Sequence, residues 1–96
     1  GGLTETLKIA HMAQAANLPI APHIHGSAVA VAAAVHLLGA VRNGSMAETV
    51  YPAHALMNEL AKEPLLVDRK GDITLSERPG LGIELDPKIV KKYRAK

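Results

Sequence analysis

The stretch Ala28 to Ala40, AVAVAAAVHLLGA, constrains this chain more than any other, because its residues are small or apolar nearly all round. A helix of that character is buried rather than facing solvent, so the chain must supply, or join, layers that enclose it. The residues just before it say what kind of layer. Leu18-Pro19-Ile20-Ala21-Pro22 is too short for a helix and continuously apolar, as in a strand buried on both faces of a parallel sheet. Pro22 sits at its end, where the lost N–H does least harm. His23-Ile24-His25-Gly26 follow, and Ser27 is placed to cap the helix. The reading is a strand delivering imidazoles to a helix entrance.

Upstream, Leu7, Ile9, Met12, Ala13 and Ala16 recur at three- and four-residue spacing, which predicts a helix over Thr4–Ala16. Thr4 is its expected N-cap, Glu5 favours the first turn, and Asn17 and Pro19 mark the stop. Arg42, Asn43 and Gly44 form the exit from the apolar helix, and Met46 to Val50 reads as a short strand ending before Pro52. Helix, strand, helix, strand is the rhythm of a βα-repeat fold. Beyond it, His54 to Lys62 has weak helical periodicity ended by Pro64. Leu65–Val67 and Ile73–Leu75 around Arg69-Lys70-Gly71-Asp72 read as a hairpin, and Ile83–Leu85 as another strand. Asp86-Pro87 caps a last helix into Tyr93.

Composition narrows the class. The chain has 96 residues, no Cys, Phe or Trp, and only Tyr51 and Tyr93 as aromatic side chains. A core of branched aliphatics without rings leans towards a segment of a larger α/β body. Without Cys there are no disulfides or thiolate metal sites, in keeping with a reducing cytoplasm. The opening Gly1-Gly2-Leu3-Thr4-Glu5 shows no initiator Met and no signal-peptide pattern, and reads as cut from something longer. Ala28–Leu38 is far short of the roughly 20 residues needed to span a bilayer. The net charge is +2, and the basic residues Lys88, Lys91, Lys92, Arg94 and Lys96 gather at the end. Without aromatic interleaving they read as a solvated terminal helix, so neither a nucleic acid nor a membrane is an expected partner. Gly80-Leu81-Gly82 lacks the spacing of a phosphate loop.

The residues able to carry chemistry are few. His23 and His25, two apart at a strand end, point to one side. They suit a metal site of the His-x-His hydrolase kind, provided further ligands exist, or a proton-transferring imidazole at the strand terminus where α/β folds place reactive groups. A hydrogen-bonded structural role is the third reading. Glu48 is either a site acid or the partner of a basic residue, and spacing leaves that open. His11, His36 and His54 read as structural or surface residues.

Gly1-Gly2-Leu3-Thr4-Glu5, Lys8-Ile9-Ala10, Pro22-His23 with Gly26-Ser27, His36-Leu37 and Pro79-Gly80-Leu81-Gly82-Ile83-Glu84-Leu85-Asp86 together resemble the end of the mandelate racemase/muconate lactonizing enzyme branch of the enolase superfamily. The resemblance implies an α/β fold: residues 1–50 as the end of a modified (β/α) TIM-type barrel, from about the sixth helix to the eighth strand. Residues 51–96 would be a C-terminal segment with short strands and a terminal helix, packing on the barrel and the capping domain. It implies an enzyme that abstracts the proton α to a carboxylate, with His23 as catalytic base, Glu48 as the carboxyl group that donates to the substrate, and His25 as a substrate contact. Mg²⁺ is the implied cofactor, its ligands lying upstream of Gly1, so that no metal ligand is assigned in this chain.

The leading expectation is a lyase that dehydrates an acid sugar to a 2-keto-3-deoxy acid. Racemisation or epimerisation of a hydroxy acid, a non-catalytic structural or interaction module, and a His-x-His metallohydrolase stand beside it. The expected partners are a small carboxylate substrate, the rest of the barrel and capping domain, and further copies in a homo-oligomer. The location is expected to be cytoplasmic, and the 96-residue chain by itself catalytically inert.

Overall fold

The computed structural model describes residues 1–95 and shows four helices in the order α1 (Gly2–Ala15), α2 (Ala28–Ala40), α3 (Ala55–Asn58) and α4 (Pro87–Tyr93). The two long helices fall where the sequence puts them, within two residues at each end. The caps differ. Helix α1 starts from Gly1 rather than Thr4, and Ser27 precedes α2 without a side-chain capping bond. Asn17 does take the left-handed conformation, with φ 55°, that lets the chain leave α1.

Helix α2 is the centre of the packing. Ala28, Val31, Ala32, Val35 and Leu37 are buried on it, and Val31 and Val35 form one cluster with Ile24 and Met57. Ala34, Ala47, Val50, Leu65 and Ile73 close around that cluster. The apolar stripe of α1 is left largely uncovered: of its residues only Ala10 is buried, while Ile9 and Met12 lie open, Met12 at 73%.

The expected strands reduce to isolated bridges. Ile20 pairs in parallel with Gly44, donating to the Asn43 carbonyl at 2.8 Å and accepting from the Ser45 N–H at 2.9 Å. A parallel ladder would continue from Ile20 to residue 22, but Pro22 has no N–H to give, so the pairing stops after one step and Met46–Val50 runs on unpaired. Nor is the segment covered on both faces, for Leu18 is 58% exposed. Asn43 holds the arrangement together, its side-chain amide donating to the carbonyls of Ala10 and Leu18 at 3.0 Å each.

After Tyr51 the chain is held by short-range devices. The helix expected over His54–Lys62 is one turn, α3, because Ala61 is drawn instead into an antiparallel bridge with Leu85. The Asp68 carboxylate accepts from the N–H groups of Lys70 and Asp72 at 2.8 and 2.9 Å, so a turn forms at the predicted place. The Asp72 and Lys70 donors hold that carboxyl below its ordinary value. The arms around it are not laddered; Leu65 and Ile73 anchor them to the core through side chains. Gly82 has φ +68° and sits against Ser76, where a Cβ would approach to 2.6 Å, so this turn admits only glycine. Asp86 caps α4 as expected, accepting from the Lys88 N–H at 2.8 Å. In the basic tail, Lys92 reaches Glu59 at 3.4 Å and covers the Tyr93 ring; Lys96 lies outside the described residues. Among the described residues no helix is long and apolar enough to cross a membrane.

Candidate active site

The site is built by alternation along His23-Ile24-His25. Ile24 is 3% exposed and joins the core cluster, so its neighbours on either side are turned outward. The rings of His23 and His25 stand nearly parallel, 14° apart in plane, with centroids 6.0 Å apart. The sequence therefore places the pair correctly on one side of the segment.

Glu48 arrives from the extended stretch after the Ile20–Gly44 bridge. That bridge fixes how the two segments lie side by side, and Ala47 and Val50, flanking Glu48, pack on the core. The Glu48 Oε1 lies 2.7 Å from Nδ1 of His23. Of the two roles spacing left open for Glu48, the partner of a basic residue is the contact seen, and that residue is His23 itself. The side chains are 74% and 42% exposed, and an ion pair this open adds only about 0–1 kcal/mol to stability. Its effect is orientation. With Nδ1–H donated to the carboxylate, the neutral imidazole carries its lone pair on Nε2, the arrangement of a base awaiting a proton.

The other histidines divide. His36 is a helix residue whose Nδ1 lies 2.9 Å from the Ala32 carbonyl, a structural role as expected. His11 is exposed on α1. His54 departs from expectation: its ring centroid lies 6.4 Å from that of His25, tilted by 41°, so it belongs to the same cluster. Nothing in local spacing signals that approach. Asn43 was likewise legible only as a loop residue, although it ties α1 to the segment that carries the histidines.

Among the described residues no three His, Cys, Asp or Glu side chains come together as a ligand group, so these residues do not by themselves assemble a metallohydrolase site around His23 and His25. The same observation bears on Mg²⁺, which takes an octahedral set of oxygen ligands. The described residues do not by themselves fit a Mg²⁺ site.

The chain as a whole has counterparts among known proteins. The sequence model of the family described as enolase C-terminal domain-like matches residues 1–89. The arabinonate dehydratase of Saccharolobus solfataricus is 27% identical over 96 residues, covering 100% of this chain and 25% of the relative. The D-galactonate dehydratase of Pectobacterium atrosepticum is 33% identical over 97 residues, covering 94% of this chain and 25% of the relative. Among solved structures, the mandelate racemase/muconate lactonizing enzyme from a Sulfitobacter species superposes with a TM-score of 0.84 at 34% identity, over 97% of this chain and 23% of the other. A member of the enolase superfamily from a Polaromonas species gives 0.84 at 33%, over 100% and 25%. The chain thus spans about a quarter of the length of the relatives it matches. A match along nearly the whole chain, in sequence and in fold, means that this protein belongs to the enolase C-terminal domain-like family.

Proposed function

We propose that the chain is the C-terminal portion of a larger enzyme that removes the proton α to a carboxylate, and that the reaction is dehydration of an acid sugar. The observation that carries the reading is the 2.7 Å contact between Nδ1 of His23 and Oε1 of Glu48, which leaves Nε2 available on an exposed ring. In this reading residues 1–50 form the end of the (β/α) barrel and residues 51–96 return to the capping domain. Mg²⁺ would be held by residues outside this chain and would stabilise the enolate charge. The dehydratase relatives support the choice of substrate class.

The chain's own residues then act as follows. His23 Nε2 takes the α-proton as general base. The imidazolium so formed protonates the departing β-hydroxyl, which leaves as water, and the enol product ketonises to the 2-keto-3-deoxy acid. One water is lost and no redox partner is needed. Glu48 orients His23 through Nδ1 before substrate binds, and in its protonated form donates to the substrate carboxylate. His25, stacked beside the base, contacts the substrate.

The test is to incubate the intact enzyme with a panel of sugar acids and measure 2-keto acid formation together with α-proton exchange in D₂O. Keto product with exchange is the expected result. Exchange and loss of optical activity without keto product would replace dehydration by racemisation, a reading favoured by the likeness to the mandelate racemase/muconate lactonizing enzyme structure. Absence of exchange with every acid would overturn the proposal.

A further inference from the structure

Within the cluster of His23, His25 and His54, it is His54 that the proposed reaction leaves without a task. It precedes α3 as the N-cap residue, its carbonyl accepting the N–H groups of Met57 and Asn58 at 2.9 and 3.2 Å. The side chain makes no capping bond, so the ring is not needed to start the helix. Its place is nevertheless fixed. Met57, one turn on, is buried in the same cluster as Ile24, and Ile24 is the residue between His23 and His25. One core therefore holds both segments, and the rings follow in the order His23, His25, His54, with centroid spacings of 6.0 and 6.4 Å.

A neutral imidazole offers one donor and one acceptor, the same pair a hydroxyl group presents. A row of such rings beginning at the base suits a chain of hydroxyl-bearing carbons whose first carbon reacts at His23. We propose that His54 is a specificity-determining residue, hydrogen-bonding substrate hydroxyls distal to the reacting carbon, so that the site favours sugar acids with a longer hydroxylated chain. The assignment rests on the reading of His23 as the base.

The test uses the intact enzyme with His54→Ala and His54→Asn, following α-proton exchange in D₂O with D-galactonate and with glycerate, whose chain ends one carbon beyond the α-carbon. For His54→Ala, KM for galactonate rises about tenfold, the loss of roughly one hydrogen bond, while its kcat and the exchange of glycerate stay unchanged. Asn keeps a donor and an acceptor and is a good N-cap, so His54→Asn recovers part of the galactonate KM. Equal losses with both acids, or no change with either, would overturn the assignment of His54. His23→Asn run alongside separates the two claims. If it abolishes exchange while His54→Ala changes nothing, the base stands and His54 falls. If wild type exchanges neither acid, or only glycerate, or if His23→Asn still exchanges them, the inference falls, in the last case together with the reading it rests on.

Discussion

Ile24 and the two histidines beside it share one short segment yet belong to different regions of the molecule. Ile24 faces the cluster of Val31, Val35 and Met57 at 3% exposure, while the side chain of His23 is 74% exposed and touches Glu48. The core face consists of aliphatic groups that pack closely and do no chemistry. The site face consists of titratable groups that contribute little to stability and whose positions are set from behind. Placing reactive groups on alternate residues of an anchored segment leaves them free to meet a ligand while the backbone stays fixed. The two faces should accordingly respond to substitution in opposite ways.

The largest effect is expected on the site face. In the intact enzyme His23→Asn removes the proton acceptor and should lower kcat about 10²- to 10⁴-fold with the melting temperature unchanged, measured by α-proton exchange and thermal unfolding on the same preparation. A large fall in melting temperature would mean that His23 is a structural residue and that the contrast between the faces is false. Ile24→Ala should do the reverse. Truncating a buried Ile costs about 2–5 kcal/mol, and the cost should appear as a lower melting temperature. Activity measured well below the melt should fall less than for His23→Asn. Glu48→Leu comes next: it keeps roughly the size of the side chain but removes the acceptor for His23 Nδ1–H, so kcat should drop about 10- to 100-fold, in line with losses on removing a partner that orients a functional imidazole. If kcat is unchanged, the 2.7 Å contact has no part in the reaction.

The core face was far more legible in the sequence than the site face. Helix α2 could be read to within a residue because its apolar surface runs all round, Ser27 and the His-x-His segment fix its entrance, and Arg42, Asn43 and Gly44 its exit. The one-sidedness of His23 and His25 followed from the two-residue period of extended backbone. The strands did not follow, because a parallel ladder depends on partners remote in sequence and Pro22 cuts short the parallel pairing of Ile20 with Gly44. The resemblance put His23 and Glu48 in one site without implying that they touch, and residue spacing carries no information on how two segments lie side by side, so their contact came only with the structure. His54 was missed for the same reason: its approach to His25 depends on Met57 and Ile24 sharing a core, a contact made by packing and not by any local pattern.

The smallest expected effect concerns two residues that look alike in sequence and differ in structure. Ser27 and Asp86 each stand immediately before a helix, and each was read as its N-cap. Asp86 accepts from the Lys88 N–H at 2.8 Å, whereas Ser27 makes no capping bond to α2. Replacing a bonded N-cap by Ala costs about 0.5–2 kcal/mol, while a side chain with no bond to lose should cost much less. Helix α2 is also held through its buried face, so its start depends little on a cap; α4 has no buried residue to replace one. Asp86→Ala should therefore lower the stability of the C-terminal helix, seen as faster amide exchange at Lys88 to Val90, and Ser27→Ala should leave exchange over Val31 to Val35 unchanged. If the two variants loosen their helices equally, position alone sets the value of a cap, and the distinction between packed and cap-dependent helices does not hold here.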